Sequence, residues 1–99
     1  MIITKPTRTD ANGRKLYPFN MARYGHNIEL AYNHQWLICR EMEDGERDWD
    51  KAAFAHLERL ENAYTAAIGN GIAWVDGKTY GVLKEASLWA DCYRDRRNS

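Results

Sequence analysis

No stretch of this chain is apolar and long enough to cross a bilayer, and the opening MIITKPTRTD lacks the apolar run of a signal peptide. The expectation is a cytoplasmic protein that does not engage a membrane. Net charge is also lacking: 14 Lys and Arg balance 14 Asp and Glu over 99 residues. No global field is therefore present to hold nucleic acid or an anionic surface. Cysteine is sparse, with only Cys39 and Cys92. Both fall in or beside apolar stripes and read as reduced core thiols rather than a disulfide framework. There are no internal repeats, low-complexity tracts or linker-like segments. A single domain over residues 1–99 follows, and it is large enough to bury a core without a staple.

What the chain does have is aromatic bulk, with tryptophan at 36, 49, 74 and 89 and six tyrosines. Such side chains bury much area each. The organising stretch is 21–42. Met21, Tyr24, Ile28, Ala31 or Tyr32, Gln35, Cys39 and Met42 recur at steps of three and four. At roughly 100° per residue they share one face of a helix. Asn20 can cap its first turn, and Gly45 can supply the left-handed residue that ends it. Between Arg23 and Arg40 the only ionised residue is Glu29. Leu30 and Leu37 lie on the face opposite the stripe, and Ile38 lies between the two faces. A helix apolar on two sides has two partners. The second is either another element of this domain or a surface for self-association or a partner protein, bordered by His26 and His34.

A second helix is expected over 50–68, with Ala53, Phe54, Leu57, Leu60, Tyr64 and Ile68 on its apolar stripe and Trp49 leading in. Alanine at six positions favours it, and Gly69-Asn70-Gly71 stops it. His56 sits on its flank. The polar connector 41–50 is short enough to make the two helices an antiparallel pair. Residues 72–75 and 79–83 read as two strands of a hairpin turning on Asp76-Gly77. A third helix is expected over 85–96, with Ala86, Trp89 and Tyr93 on its apolar face. Residues 1–19 form either a small hairpin, with strands at 2–4 and 15–17 about Asn12-Gly13, or an irregular arm. The fold class is mainly α: three helices with an antiparallel helix pair and a short β-hairpin, or α+β if the N-terminal strands form. Trp49, Leu57, Leu60, Tyr64, Trp89 and Tyr93 are expected in the core against the first helix.

Patterns that carry chemistry are mostly missing. Gly77-Lys78-Thr79 resembles the end of a phosphate-binding loop, but that loop needs a glycine five positions before its Gly-Lys-Thr glycine. That position is Ile72, so a turn is expected instead. His26 and His34 point about 80° apart, two turns from each other, and make no chelating pair. Asp44-Gly45 lacks the alternating acids of a calcium loop. Cys39 lies near a helix C-terminus, which disfavours a thiolate, and His34 diverges from it by about 140°. No catalytic residue, cofactor site or metal set is nominated, and no enzyme is expected.

The basic ends, Lys5, Arg8, Arg14 and Lys15 with Arg94, Arg96 and Arg97, are the candidates for nucleic-acid contact, beside Tyr17, Phe19 and Tyr93 for stacking. The leading reading is a non-enzymatic interaction protein forming a homodimer or binding a protein partner through the first helix, at Leu30, Leu37, Ile38, His26 and His34. The alternative is a small nucleic-acid-associated accessory protein using the basic ends.

The tail GIAWVDGKTYGVLKEASLWADCYR resembles short proteins of unknown function carried on bacterial conjugative elements and phages. The resemblance covers roughly the last quarter of the chain and carries no defined motif. It implies a bacterial, cytoplasmic accessory role and transfers no functional residues.

Overall fold

The computed structural model describes residues 8–69 and 71–98. The protein is mainly α. Three helices, α1 (Met21–Glu43), α2 (Lys51–Ala67) and α3 (Gly77–Asn98), pack with β1 (Arg8–Thr9), β2 (Lys15–Asn20) and β3 (Ile72–Asp76). The strands form one antiparallel sheet in the order β1-β2-β3.

α1 forms as its periodicity requires. The Asn20 side chain accepts from the Arg23 amide at 3.1 Å, taking up one orphan donor of the first turn. The helix runs unbroken through Gly25. It closes where the amide of Gly45, at φ 79°, donates to the Met42 carbonyl. α2 begins in the same manner, with Asp50 accepting from the Ala52 amide at 3.0 Å. It ends at Ala67, and Gly69 follows at φ 85°. The pair is antiparallel: Cys39 late in α1 meets Ala53 early in α2, and the Tyr32 ring stacks on Tyr64 further along. Ile28 and Cys39 are buried and Tyr24 is half-buried, with its ring 5.8 Å from that of Phe19.

The segment after α2 departs from the sequence reading. Residues 72–83 are not a hairpin on Asp76-Gly77. The strand Ile72–Asp76 pairs instead with β2, setting Ala73 opposite Phe19 and Val75 opposite Tyr17. Gly77 has no positive φ, which a tight hairpin turn would need. The Asp76 carboxylate accepts from the Thr79 amide at 2.7 Å and caps α3. That helix therefore starts eight residues before position 85, and 79–83 form its first turns rather than a strand. Tyr80, Leu83, Ala86, Ser87 and Ala90 recur at helical spacing, and all but half-buried Tyr80 are buried.

The short hairpin of the molecule lies at the other end of the chain, between β1 and β2. Its turn is closed by Asp10, whose carboxylate accepts from the amides of Asn12 and Arg14 at 2.9 Å each, with Gly13 at φ 80°. The strand expected over 15–17 runs on to Asn20 through Pro18. β1 pairs only with Lys15 and Leu16, so at Pro18 one side of β2 has no strand partner among the described residues. A strand tolerates proline there, because no ladder bond is lost. The strand expected over 2–4 lies outside the described residues.

The core sits between the inner face of the sheet and the three helices. Ile28 and Leu83 are fully buried at its centre, with Phe19, Leu60 and Val75 around them. Of the six residues expected there, Leu60 is buried and Leu57, Tyr64 and Tyr93 are half-buried. Trp49 is not in the core. It is 68% exposed and stacks on Phe54 at 4.7 Å, because it precedes the cap at Asp50 and so falls outside the helical stripe. Trp89 is at the edge, 36% exposed.

Candidate functional site

α1 touches two helices and leaves a third surface outward. Ile28, Ala31, Gln35 and Cys39 turn toward α2. Gln35 Nε2 donates to the Ala53 carbonyl at 2.9 Å, and the Cys39 thiol reaches the same oxygen at 3.5 Å. Burial, reinforced by the charge of Glu43, pushes the Cys39 thiol above its usual range. Buried and bonded, it is a poor nucleophile, whereas Cys92 is exposed on α3 and not in the core.

The second seam, with α3, is polar. Asn27 is buried, and its amide donates to Asp91 at 3.0 Å and to the Ser87 hydroxyl at 3.2 Å, while its oxygen accepts from Arg94. One turn pair further on, the His34 ring lies 4.8 Å from Trp89 and 5.3 Å from Tyr93, and those two rings stack at 5.0 Å.

The three helices border an open cavity of about 520 Å³. Its apolar wall includes Ile38, Leu60, Val82 and Trp89, and His34, Gln35, His56, Arg59 and Glu85 supply its polar groups. Arg59 approaches His56 Nδ1 at 3.5 Å. Burial, together with the Arg59 charge, lowers the His56 pKa below the ordinary imidazole range, while Glu85 acts against them. The neutral ring is favoured.

The outward surface of α1 is different in kind. Trp36 is 48% and Leu37 50% exposed, side by side in mid-helix. His26, Glu29, Asn33 and Arg40 are exposed around them. Of the residues nominated from sequence for interaction, Leu37 and His26 lie on this surface and Leu30 is half-buried at its border. Ile38 and His34 turn inward, to the cavity and to the aromatic rings of α3.

The basic candidates are spread out. Arg8 stacks over Trp74, 4.1 Å from the ring centroid, and Arg14 and Lys15 are exposed. Arg14 is close enough to Asp76 to help lower its pKa, chiefly set by the Thr79 amide and hydroxyl. Arg94 is bound to Asn27, and Arg96 is exposed. Lys5 and the Arg97 side chain lie outside the described set. Position 94 is eighteen residues past Asp76 along α3, which at helical rise is about 27 Å. The structure thus sets the two basic groups at opposite ends of one helix.

Three features escaped the sequence. Asn27 gave no signal, because a lone asparagine in a helix carries none. Arg59 and Glu85 were ordinary surface charges until packing turned them to a shared cavity. Trp36 was visible as an aromatic, but its outward phase becomes plain only once both neighbours of α1 are known. Among the described residues no group of three His, Cys, Asp or Glu could hold a metal ion, and no helix is long and apolar enough to cross a membrane. No protein-family model, curated protein or solved structure matches the chain.

Proposed function

We propose that this protein is a non-enzymatic accessory protein that pairs with a second copy of itself through the outer surface of α1. The carrying observation is the Trp36-Leu37 pair, half-exposed in the middle of the longest helix. Large aromatics so placed are typical anchors of protein interfaces.

Charge favours a second copy as the occupant. Glu29, Asn33, Trp36 and Arg40 recur at steps of four and three along the outer surface. An antiparallel two-fold pairing centred between residues 34 and 35 sets Glu29 of each copy beside Arg40 of the other. It also brings both Trp36 rings near the axis. A surface that meets itself about a two-fold is the commonest form of oligomer. The exposed ion pairs would set register more than affinity. The free thiols Cys39 and Cys92 suit a reducing cytoplasm. The resemblance of the tail to short proteins of bacterial conjugative elements and phages is in keeping with an accessory role.

Sedimentation velocity of the wild type against a Trp36→Glu, Leu37→Glu variant tests this reading. The expected result is a dimer that becomes a folded monomer, since both side chains are half-exposed. A wild type that stays monomeric at high micromolar concentration overturns it.

A further inference from the structure

The cavity between the helices holds two opposite charges that are not joined to each other. Arg59 comes from α2 and Glu85 from α3, and both line it. Ion pairs within 4.0 Å join Arg40 to Asp44 and Arg47 to Glu41, and among the described residues none involves Arg59 or Glu85. His56 lies within the influence of both, next to Arg59 and subject to the field of Glu85. Apolar side chains from the same helices line the cavity beside these charges, buried Leu60 from α2 and Val82 and Trp89 from α3. At about 520 Å³ the space is of the size that takes a small molecule.

From this juxtaposition we propose that the cavity binds a small zwitterion with an apolar body, of the α-amino-acid class. Its carboxylate would meet Arg59, its ammonium would meet Glu85, and its side chain would lie against Leu60, Val82 and Trp89. The chemistry selects for both charges. A ligand bearing only a carboxylate satisfies Arg59 and strips water from Glu85 without return. A ligand bearing only an ammonium does the reverse. Each end of the ligand displaces water from one of these charges, and the matching opposite charge offsets that loss. A zwitterion satisfies both ends with charge-assisted hydrogen bonds. Arg59 Nη2 lies 3.5 Å from His56 Nδ1, so the imidazole borders the cationic end of the site. Arg59 and Glu85 are both exposed, so the site opens to water and a ligand enters without unfolding. Gln35, held by Ala53, and Ala31 place this mouth on the side of α1 away from Trp36. Ligand binding and self-pairing therefore use separate surfaces.

The test is a titration of the full chain, labelled for amide NMR, with L-tryptophan and L-leucine. Indole-3-propionate serves as the carboxylate-only probe and tryptamine as the ammonium-only probe. The expected result is saturable shifts confined to residues 31–38, 56–60 and 82–89, with each single-charge analogue weaker by about tenfold or more, the worth of a hydrogen bond to a charged group. Arg59→Gln and Glu85→Gln should each weaken L-tryptophan by a similar factor while keeping the wild-type spectrum elsewhere, and Arg59→Lys should restore part of the loss. Absence of shifts in these segments with both amino acids overturns the proposal. So does equal binding of either analogue, or unchanged affinity in both charge variants.

Discussion

The two seams of α1 differ in how much polar structure they carry. Toward α2 the contact is largely apolar, with Ala31, Leu60 and Ala63 buried and tyrosines 32 and 64 stacked at its far end, and Gln35 and Cys39 add hydrogen bonds to the Ala53 carbonyl. Toward α3 the buried Leu83 and Ala86 join the same core, but beside them lies a hydrogen-bonded centre on Asn27 that ties Ser87, Asp91 and Arg94, extended by the His34, Trp89 and Tyr93 rings. The first kind of contact is non-directional and carries most of the stabilisation. The second adds little net free energy, because folding exchanges water bonds for protein bonds, yet it is costly to leave half made. The apolar contacts, densest toward α2, thus hold the fold together, and the polar centre on Asn27 fixes the register of α3 against α1.

If this division is right, truncation should hurt most on the apolar side. Leu60→Ala removes a side chain 2% exposed and should cost about 2–5 kcal/mol in chemical denaturation, the usual range for a buried leucine. Asn27→Ala should cost less, about 1–3 kcal/mol, from stranding the buried Ser87 hydroxyl and the Asp91 and Arg94 partners. Asn27→Leu sharpens the comparison, because it keeps the volume and removes only the bonds. A loss for Asn27→Ala as large as that for Leu60→Ala would reverse the assignment of the two seams.

The seam with α2 was legible in the sequence and the seam with α3 largely was not. Both outer helices meet α1 at a distance in sequence, but α1 and α2 are each defined by local signals: a cap at Asn20 or Asp50, a stripe at steps of three and four, and a glycine at the end. The start of α3 is ambiguous locally. Asp76-Gly77 serves equally as a hairpin turn or as a helix cap followed by its first residue. What decides is β2, more than fifty residues earlier, which takes up the edge of Ile72–Asp76 and removes the need for 79–83 to be a strand. Trp49 was misplaced because helical phase was extended past its cap. The polar centre on Asn27 and the cavity charges Arg59 and Glu85 depend wholly on that packing.

The cap at Asp76 gives a smaller effect with a definite pH sign. The Thr79 amide and hydroxyl hold its carboxyl below the usual range, so the folded state binds its proton less readily than the unfolded chain. Its contribution is therefore fully present above the unfolded carboxylate pKa, about 4, and is lost as pH falls through the lower folded value. Asp76→Ala should cost about 0.5–2 kcal/mol at neutral pH, the usual worth of a helix cap. The difference from wild type, followed by denaturation at a series of pH values, should shrink on acidification. A difference independent of pH would mean that the carboxylate does not cap α3.

The third surface of α1, with Trp36 and Leu37 at its centre, is where the functional reading stands or falls. Glu29→Arg and Arg40→Glu each place like charges together in a two-fold pairing, and mixing the two variants restores opposite charges at both contacts. Sedimentation equilibrium of each variant alone and of their equimolar mixture measures this directly. The expected result is weakened self-association in each single variant and a heterodimer in the mixture at least as tight as the wild-type dimer. Equal, undiminished association of both variants alone, or a mixture no tighter than its components, would contradict pairing through the outer surface of α1.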